Sequence, residues 1–379
     1  MQQTTSNNSS QKNMPSRTEI VTAMSNSVCH KANELKGGNV IKNGMWVVQY
    51  AGGYTNVFPF INKDGKKVAV RCWCADLDQA KERCYRISEF LKKDTSHYFV
   101  NFKYVSNALL VAGAFHPVVV MDWVEGLTLK NYVDENKPSK TLFLDLADKF
   151  LAMVKYLHSR NIAHGDLQHG NIMVRPDGSL VLIDYDSMYI DDLKGFTDVV
   201  KGLPGYQHPA REKNRLLSPK LDYFSELVIY LSLNIFAENP NLWEEYVDTE
   251  DLLFSIMDFQ DLKHSKLFQQ YRNSSNPTIR QLMRHLEDEL SKDDINKLEP
   301  LESLLCSDSK PHPTPVGINV GDILSKMKVT PQPVKTTTTT FDVSGILRKI
   351  DSLMAALETH EKLPEIDISK IIEKFTLNT

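Results

Sequence analysis

The sequence lacks an apolar run long enough to cross a membrane. The longest apolar stretch in its 379 residues is 227–236, well short of the roughly 20 residues that a membrane-spanning helix needs. Residues 1–11 are rich in Ser, Thr, Asn and Gln, and they have neither the basic start nor the apolar core of a signal peptide. We therefore expect an intracellular, cytoplasmic protein that binds no membrane.

Paired cysteines and long basic runs are also missing. The formal net charge is -4, so electrostatics give little support for a nucleic-acid partner. The five cysteines form no CxxC pair, and an odd number argues against both a disulfide framework and a zinc site. Cys72 and Cys74 alternate along a predicted strand. They are expected to be small apolar side chains in a reducing compartment.

The composition is that of an ordinary globular protein, and the length allows two lobes with appendages. Hydrophobic residues make up 41% and charged residues 24% of the chain. Pro, Ser and a threonine run mark one late segment as a linker. Apolar residues at heptad-like spacing follow it and could dock on the body or on a partner protein. The predicted organisation is a disordered N-terminus 1–18, a first lobe 19–124, a helical second lobe 125–305, a disordered linker 306–341 and a short helical tail 342–379.

Hydrophobic periodicity predicts strands followed by helices. In the first lobe we expect a leading helix over 19–34, then strands and one helix that Asp76 or Asp78 caps and that carries an apolar stripe from Leu77 to Leu91. In the second lobe, a strong helix over 142–158 leads into a polar loop, and a hairpin over 172–183 follows. The predicted strands of the first lobe are 46–50, 57–61, 67–74, 98–105 and 117–122.

The polar loop carries the strongest chemical signal. Residues 164–171 spell His-Gly-Asp-Leu-Gln-His-Gly-Asn, and Asp184-Tyr185-Asp186 follows the hairpin. Phosphoryl transfer from Mg²⁺-ATP needs a carboxylate that orients the attacking hydroxyl, plus an amide oxygen and a second carboxylate that hold the metal. Asp166, Asn171 and Asp184 supply this set, because the hairpin returns Asp184 to the side of Asn171.

This spacing resembles the catalytic loop and metal-binding motif of the protein-kinase fold. The resemblance covers about residues 40–290 and is closest to bacterial kinase-like proteins with an HGDLQHGN loop. Residues 202–210 resemble the end of a protein-kinase activation segment, and 221–227 resemble the helix start whose Asp pins the catalytic loop. Small-molecule phosphotransferases lack this pairing. The resemblance implies an α+β, bilobal protein-kinase-like fold with a small antiparallel-sheet lobe and a helical lobe.

The resemblance also implies roles for the loop residues. Asp166 would be the catalytic base, and Asn171 and Asp184 would hold Mg²⁺. Gln168 stands where most protein kinases have lysine; it can hydrogen-bond the γ-phosphate but carries no charge. His164 would pack on Tyr185 rather than take part in the chemistry.

The nucleotide site follows from the same resemblance. A hairpin lid would approach the phosphates, and Arg71 would replace the phosphate-binding lysine of the third strand while keeping its charge. Its helix partner would be Glu82, with Glu89 as the second candidate. The expected ATP-binding residues are Gly52, Gly53, Val57, Ala69, Arg71, Glu82, the gatekeeper Met121, and Asp122 and Val124, whose backbone would bond adenine.

The sequence differs from the pattern of most protein kinases at two further positions. Gly165 stands where an arginine would grip a phosphorylated activation loop, so activity should not need that phosphorylation. Asp186 replaces the glycine of the metal motif. It could be an extra magnesium contact or only a turn residue, and the sequence leaves both open.

We expect an ATP- and Mg²⁺-dependent protein serine/threonine kinase whose substrate could be a protein, including the chain itself. Two alternatives stay open. One is a catalytically weak kinase-like module that binds ATP, which Arg71, Gln168 and the sparse lid favour. The other is a small-molecule phosphotransferase of the aminoglycoside or choline type, which the HGDL loop allows.

Overall fold

A computed structural model describes residues 14–75 and 79–306, which all belong to one compact unit. The predicted linker is wrong at Cys306, which is still helical, and the rest of the linker and the tail lie outside these residues, as do Asp76, Leu77 and Asp78. Within the described ranges no helix is both long and apolar enough to cross a bilayer.

The first lobe is built on an antiparallel sheet. Its strand order is β1-β5-β6-β8-β7, and β4 pairs with the outer edge of β5. The longest register joins β5 to β6, from Thr55 opposite Trp73 to Ile61 opposite Lys67. The strands are β1 (Asn39–Val40), β2 (Lys42–Asn43), β3 (Trp46–Val47), β4 (Tyr50–Ala51), β5 (Thr55–Ile61), β6 (Lys67–Trp73), β7 (Phe102–Val111) and β8 (Ala114–Asp122).

A leading helix, α1 (Arg17–Ser25), packs on this sheet and ends earlier than predicted. It begins with a capping box in which the Ser16 N–H donates to Glu19 Oε2 at 2.8 Å and the Glu19 N–H donates to Ser16 Oγ at 3.3 Å. The predicted helix over 19–34 is wrong beyond Ser25. There, the Asn26 side chain accepts from the Val28 N–H and starts a short 3₁₀ turn, Ser27–Cys29.

The second helix, α2 (Ala80–Leu91), has its predicted apolar face inward. Cys84, Ile87 and Leu91 are buried on it. The predicted strand over 46–50 is split between β3 and β4, and the predicted strands over 98–105 and 117–122 form a longer hairpin, β7 and β8, that turns at Ala112 and Gly113. All five cysteines are free thiols; Cys72 and Cys84 are buried.

The second lobe is mostly helical. The predicted helix over 142–158 is confirmed as α4 (Lys140–Ser159), which buries Phe143, Leu146, Phe150 and Leu157 on one face. It packs on α5, a helix whose residues are nearly all buried. The remaining elements are β9 (Leu127–Thr128), α3 (Leu129–Asn136), β10 (Ile172–Val174), β11 (Leu180–Leu182), α5 (Tyr223–Glu238), α6 (Trp243–Tyr246), α7 (Ile256–Gln260), α8 (Lys266–Tyr271), α9 (Pro277–Leu290) and α10 (Leu301–Cys306).

Short strands and 3₁₀ turns complete this lobe. Strands β9, β10 and β11 form a small antiparallel sheet, and the polar loop 164–171 and Asp184 lie at the same end of its β10–β11 hairpin. Because Ile172 lies opposite Leu182, the chain after β11 returns beside the residues before β10. The 3₁₀ turns are Asp191–Leu193, Pro204–Tyr206, Pro209–Lys213, Pro240–Leu242 and Ile295–Lys297.

Candidate active site

The loop between α4 and β10 holds Asp166 in a defined position. The Asn171 Nδ2 group donates to Asp166 Oδ2 at 3.0 Å and to the Asp166 carbonyl at 2.8 Å. The backbone N–H of Leu203, in the segment that resembles an activation segment, donates to Asp166 Oδ1 at 3.1 Å. Since the Asn171 nitrogen is engaged in these bonds, its amide oxygen is the atom left to bind a cation.

The backbone of the same loop is anchored by Asp222 at the N-terminus of α5. Its carboxylate accepts hydrogen bonds from the N–H groups of His164 and Gly165, the latter at 2.8 Å. His164 Nε2 donates to the Ile183 carbonyl at 2.8 Å, and its ring meets the buried Tyr185 ring edge-on at 6.2 Å. These contacts give His164 the packing role that the resemblance implies.

Asp184 lies beside the loop with its carboxylate open to the cleft. The Ile183 N–H donates to the Asn171 carbonyl at 3.0 Å, which brings the end of the hairpin against the loop. The Asp184 side chain is 46% exposed, and its backbone has a positive φ of 66°. Amide and carboxylate oxygens are the hard ligands that Mg²⁺ prefers, so Asn171 and Asp184 fit a magnesium ion bound together with nucleotide phosphates.

Arg71 contacts the metal motif and not helix α2. Its Nη1 lies 3.0 Å from Asp184 Oδ1, its Nη2 pairs with Asp186, and its Nε donates to Thr55 Oγ1 at 3.3 Å. The Arg71 side chain is only 5% exposed. The guanidinium is therefore shared by two carboxylates of the Asp-Tyr-Asp motif.

The predicted partners of Arg71 are wrong. Glu82 pairs with Arg86 at 2.7 Å, and Glu89 pairs with Lys92, each within one turn of α2. Both glutamates lie on the solvent side of the helix, because the buried side carries Cys84 and Ile87. Charged side chains on that outer face cannot reach a strand on the inner face.

Helix α2 presents an arginine where a glutamate was expected. Arg83 is buried; its Nη1 donates to the Asp186 carbonyl at 2.8 Å and its Nη2 to the Thr197 carbonyl at 2.7 Å. Asp186 supplies an anion for Arg71, a role that the sequence did not indicate, and its contact with magnesium stays a prediction. The only signal was a charged residue where a glycine was expected.

The charges of the cleft shift the acidity of its carboxyl groups in different directions. Burial raises the pKa of Asp186 to about 6, against the opposing charge of Arg71. Burial also raises the pKa of Asp166, partly offset by His164. For Asp184, burial acts in the same direction, but the charges of Arg71 and His164, together with hydrogen bonds from Arg71 and the Asp186 backbone, outweigh burial and hold the pKa below its ordinary value. Asp184 is therefore ionised at neutral pH, as a metal ligand must be.

The predicted lid is a closed hairpin that α1 supports. The Gly52 N–H donates to the Thr55 carbonyl at 2.8 Å, so it is not available to a phosphate. Arg17 donates to the carbonyls of Gly52 and Gly53 and, at 2.7 Å, to Asn56 Oδ1. The role of Arg17 could not be found from the sequence, because it joins residues far apart in the chain. Of the two predicted lid glycines, only Gly53 has open space around it.

The structure brings some of the residues predicted to bind adenine close together. Ala69 lies opposite Met121 in the β6–β8 ladder, and Val57 lies opposite Arg71 in the β5–β6 ladder. The Asp122 N–H donates to the Asn101 carbonyl at 3.1 Å, and the bonding of adenine to backbone groups near Asp122 and Val124 stays a prediction. Val124 follows at the junction of the lobes and packs against the large hydrophobic core.

Gln168 is turned toward its own loop. Its Oε1 accepts from the Gly170 N–H at 3.1 Å, and the side chain is partly buried. This bond fixes the carboxamide without adding a charge to the cleft. The neighbouring His169 ring contacts the Tyr206 hydroxyl, and burial lowers its pKa to about 3. His169 is therefore neutral and joins the catalytic loop to the segment around Tyr206.

The fold and the site together define a kinase-type phosphotransferase architecture: a small antiparallel lobe, a helical lobe and an Asp-Asn-Asp set in one cleft. Comparison with known families agrees. The model of the protein kinase domain matches residues 51–307. This chain belongs to the protein kinase family, and the predicted bilobal α+β fold is confirmed.

Individual relatives match shorter parts. The chain is 37% identical over 111 residues to an uncharacterized protein of Dictyostelium discoideum (28% of the chain, 11% of the relative). It is 37% identical over 89 residues to serine/threonine-protein kinase WNG2 of Toxoplasma gondii (24% and 15%). It is 23% identical over 204 residues to serine/threonine-protein kinase STE20 of Debaryomyces hansenii (54% and 18%). The chain thus spans less than a fifth of the length of each, and the likeness to bacterial HGDLQHGN proteins stays a prediction.

Proposed function

We propose that this protein kinase transfers the γ-phosphoryl group of Mg²⁺-ATP to serine or threonine hydroxyls of proteins. The observation that carries the proposal is the set of Asp166, Asn171 and Asp184 in one cleft, with Asp166 held by Asn171 at 3.0 Å and by the Leu203 N–H at 3.1 Å. Two relatives named as serine/threonine-protein kinases support the acceptor class.

Each residue of the set has a distinct task. Asp166 orients the acceptor hydroxyl and takes its proton, for which a pKa raised by burial is suited. Asn171 and Asp184 hold the magnesium, which supplies charge neutralisation at the phosphate oxygens. Arg71 keeps a positive charge next to the same phosphates. Asp186, the other partner of Arg71, would keep the guanidinium in place if Asp184 held the metal.

A protein acceptor is favoured over a small molecule by the segment next to Asp166. Residues 202–210 run directly beside the carboxylate, and the Leu203 N–H bonds it. A backbone segment at that place offers an extended acceptor a surface close to the base. Small-molecule phosphotransferases would need an enclosing pocket there instead.

A second function has its own support. Arg71 is already shared by Asp184 and Asp186, and the Gly52 N–H is engaged in the hairpin, so fewer groups are available to grip ATP. These two observations favour a catalytically weak kinase that binds nucleotide and acts as an interaction module.

One assay separates these functions. The full chain is incubated with Mg²⁺ and γ-labelled ATP, with and without a generic basic protein acceptor, and the label is traced. Label on serine or threonine of a protein supports the proposal. Label on a small molecule from a metabolite extract would replace it with the phosphotransferase. An ATP-induced rise in melting temperature without any transfer would favour the weak kinase.

A further inference from the structure

The backbone of Gly165 is held at both its N–H and its carbonyl. Its N–H donates to Asp222 Oδ1 at 2.8 Å, and its carbonyl accepts from Arg211 Nη1 at 2.5 Å. Gly165 has a φ of 77°, and a Cβ built on it would lie 2.1 Å from the Ser187 carbonyl oxygen. This backbone therefore has no room for an arginine at position 165, yet a guanidinium still reaches the catalytic loop from another part of the chain.

Arg211 uses all of its donors in buried contacts. Its Nε and Nη2 bind the two carboxylate oxygens of Asp198 at 3.1 and 3.0 Å. Its Nη2 also donates to the Val200 carbonyl at 3.2 Å, and its Nη1 donates to Gln207 Oε1. With the Gly165 bond these contacts engage each nitrogen of the guanidinium, and the residue is only 2% exposed.

Asp198 is a fixed anion inside the segment that follows the metal motif. Its side chain has no exposed surface, and Lys201 Nζ lies 3.1 Å from its Oδ2. Its N–H donates to the Arg215 carbonyl at 2.9 Å, so the backbone is held as well. A buried carboxylate that binds one guanidinium in bidentate fashion and contacts a second cation is held in a fixed position.

We propose that the Arg211–Asp198 pair replaces a phosphate and its arginine, and that Arg211 is a positioning residue for Asp166. The pair joins residues 198–211 directly to the Gly165 carbonyl, one residue before the proposed base. Leu203, which bonds Asp166, lies between the two members of the pair in sequence. The segment is consequently held next to the catalytic loop without any modification. The turnover readout of this inference rests on the proposed function.

The main test uses the full chain after phosphatase treatment, with mass spectrometry showing that no phosphate remains. The unmodified parent should keep its Mg²⁺-dependent turnover of labelled ATP. Arg211→Ala should lower kcat by about 10²-fold with the KM for ATP within about threefold, because the base is displaced while the nucleotide groups stay. Guanidinium chloride at millimolar concentration should restore kcat at least in part, which a general loss of structure would not allow.

Matched variants sharpen the result. Arg284→Ala removes an exposed arginine of α9 and should leave kcat unchanged with or without guanidinium. Asp198→Asn is almost isosteric and removes the charge of the partner, so it should lower kcat as Arg211→Ala does. If the Arg211→Ala variant proves insoluble, the Asp198→Asn variant tests the inference in its place.

Amide hydrogen exchange separates this inference from the proposed function. In Arg211→Ala, peptides covering 164–171 and 198–211 should exchange faster than in the parent, and guanidinium should slow them again. A parent without turnover would refute the proposed function, whereas this exchange result would still support the pair. Unchanged exchange in both variants, or a parent that loses turnover when its phosphate is removed, would overturn the inference.

Discussion

At the scale of single residues, the position of Asp166 determines what the cleft can do. Its carboxylate receives hydrogen bonds from Asn171 and Leu203, whereas Arg71 pairs with Asp184 and Asp186 instead. Under the proposed function, a residue in this position acts on the acceptor hydroxyl and not on ATP.

Replacing Asp166 should therefore separate catalysis from nucleotide binding. We expect Asp166→Ala to keep ATP affinity within a few-fold while phosphoryl transfer falls by about 10² or more, the range of a positioned general base. Calorimetry gives the affinity, and labelled product gives the rate. A variant that transfers phosphate as fast as the parent would refute the assignment of Asp166.

The partner of Arg71 is a second residue-scale question. Asp186→Asn should lower the free energy of unfolding by about 2 kcal/mol, less than the roughly 3–5 kcal/mol of removing a sole partner, because Asp184 still faces the guanidinium. The same variant should raise the KM for ATP. Urea unfolding and steady-state kinetics measure the two effects.

Glu82→Gln is the matched control for this pair. Glu82 is exposed and pairs only within α2, so its loss should change stability by no more than about 0.5 kcal/mol. If Glu82→Gln raised the KM for ATP while Asp186→Asn did not, the ordinary strand-to-helix pair would exist in solution and our reading of Arg71 would be wrong.

At the scale of elements, a partly buried histidine joins three helices. His158 of α4 lies 2.9 Å from Glu226 of α5 and 2.8 Å from Glu302 of α10, and the Tyr223 ring packs against it. Burial disfavours the charged ring, but the two carboxylates outweigh it and raise the pKa of His158 to about 9. Burial raises the pKa of Glu226 to about 7, against the opposing charge of His158.

Both shifts predict the same direction of pH dependence. Each group binds its proton more tightly in the folded state, so each contributes stability that is present at low pH and is lost as pH rises. Glu226 contributes over about 4.5 to 7, and His158 over about 6.5 to 9. The free energy of unfolding should therefore fall between neutral pH and pH 9, as urea titrations can measure.

In the His158→Gln variant, the free energy of unfolding should decrease less steeply with pH above neutrality. His264→Gln, which changes an exposed histidine, should leave the slope as in the parent. Parallel slopes for the parent and His158→Gln would show that the histidine does not link α4, α5 and α10 in the way the contacts indicate.

At the scale of the whole molecule, the match to the protein kinase domain ends at residue 307, directly after α10. Leu301 and Leu304 of this helix are buried against α4, α5 and α9, and Cys306 is exposed. Removing residues 308–379 should therefore leave the kinase fold and its nucleotide binding intact. A truncated protein that is soluble but lacks the ATP-induced rise in melting temperature of the full chain would contradict this expectation.

Sequence reasoning succeeded where neighbours in the chain decide the structure. Strong local patterns predict the helical period of α4 and the hairpin that places Asp184 beside Asn171. A recognisable motif predicts the contact of Asp222 with the catalytic loop. Helix α1 was overextended because a single asparagine side chain can end a helix whose apolar pattern continues.

The sequence by itself determined the family, the two lobes and the polar set of the cleft, because residue types at fixed short spacings specify them. Only the tertiary structure decided which charges meet. Arg71 pairs with Asp186 across 115 residues, and Arg211 reaches Gly165 across 46. Which two charged side chains form an ion pair depends on which face of a helix or strand is buried and on which residue of another element lies opposite that face. Spacing along the chain fixes neither of these.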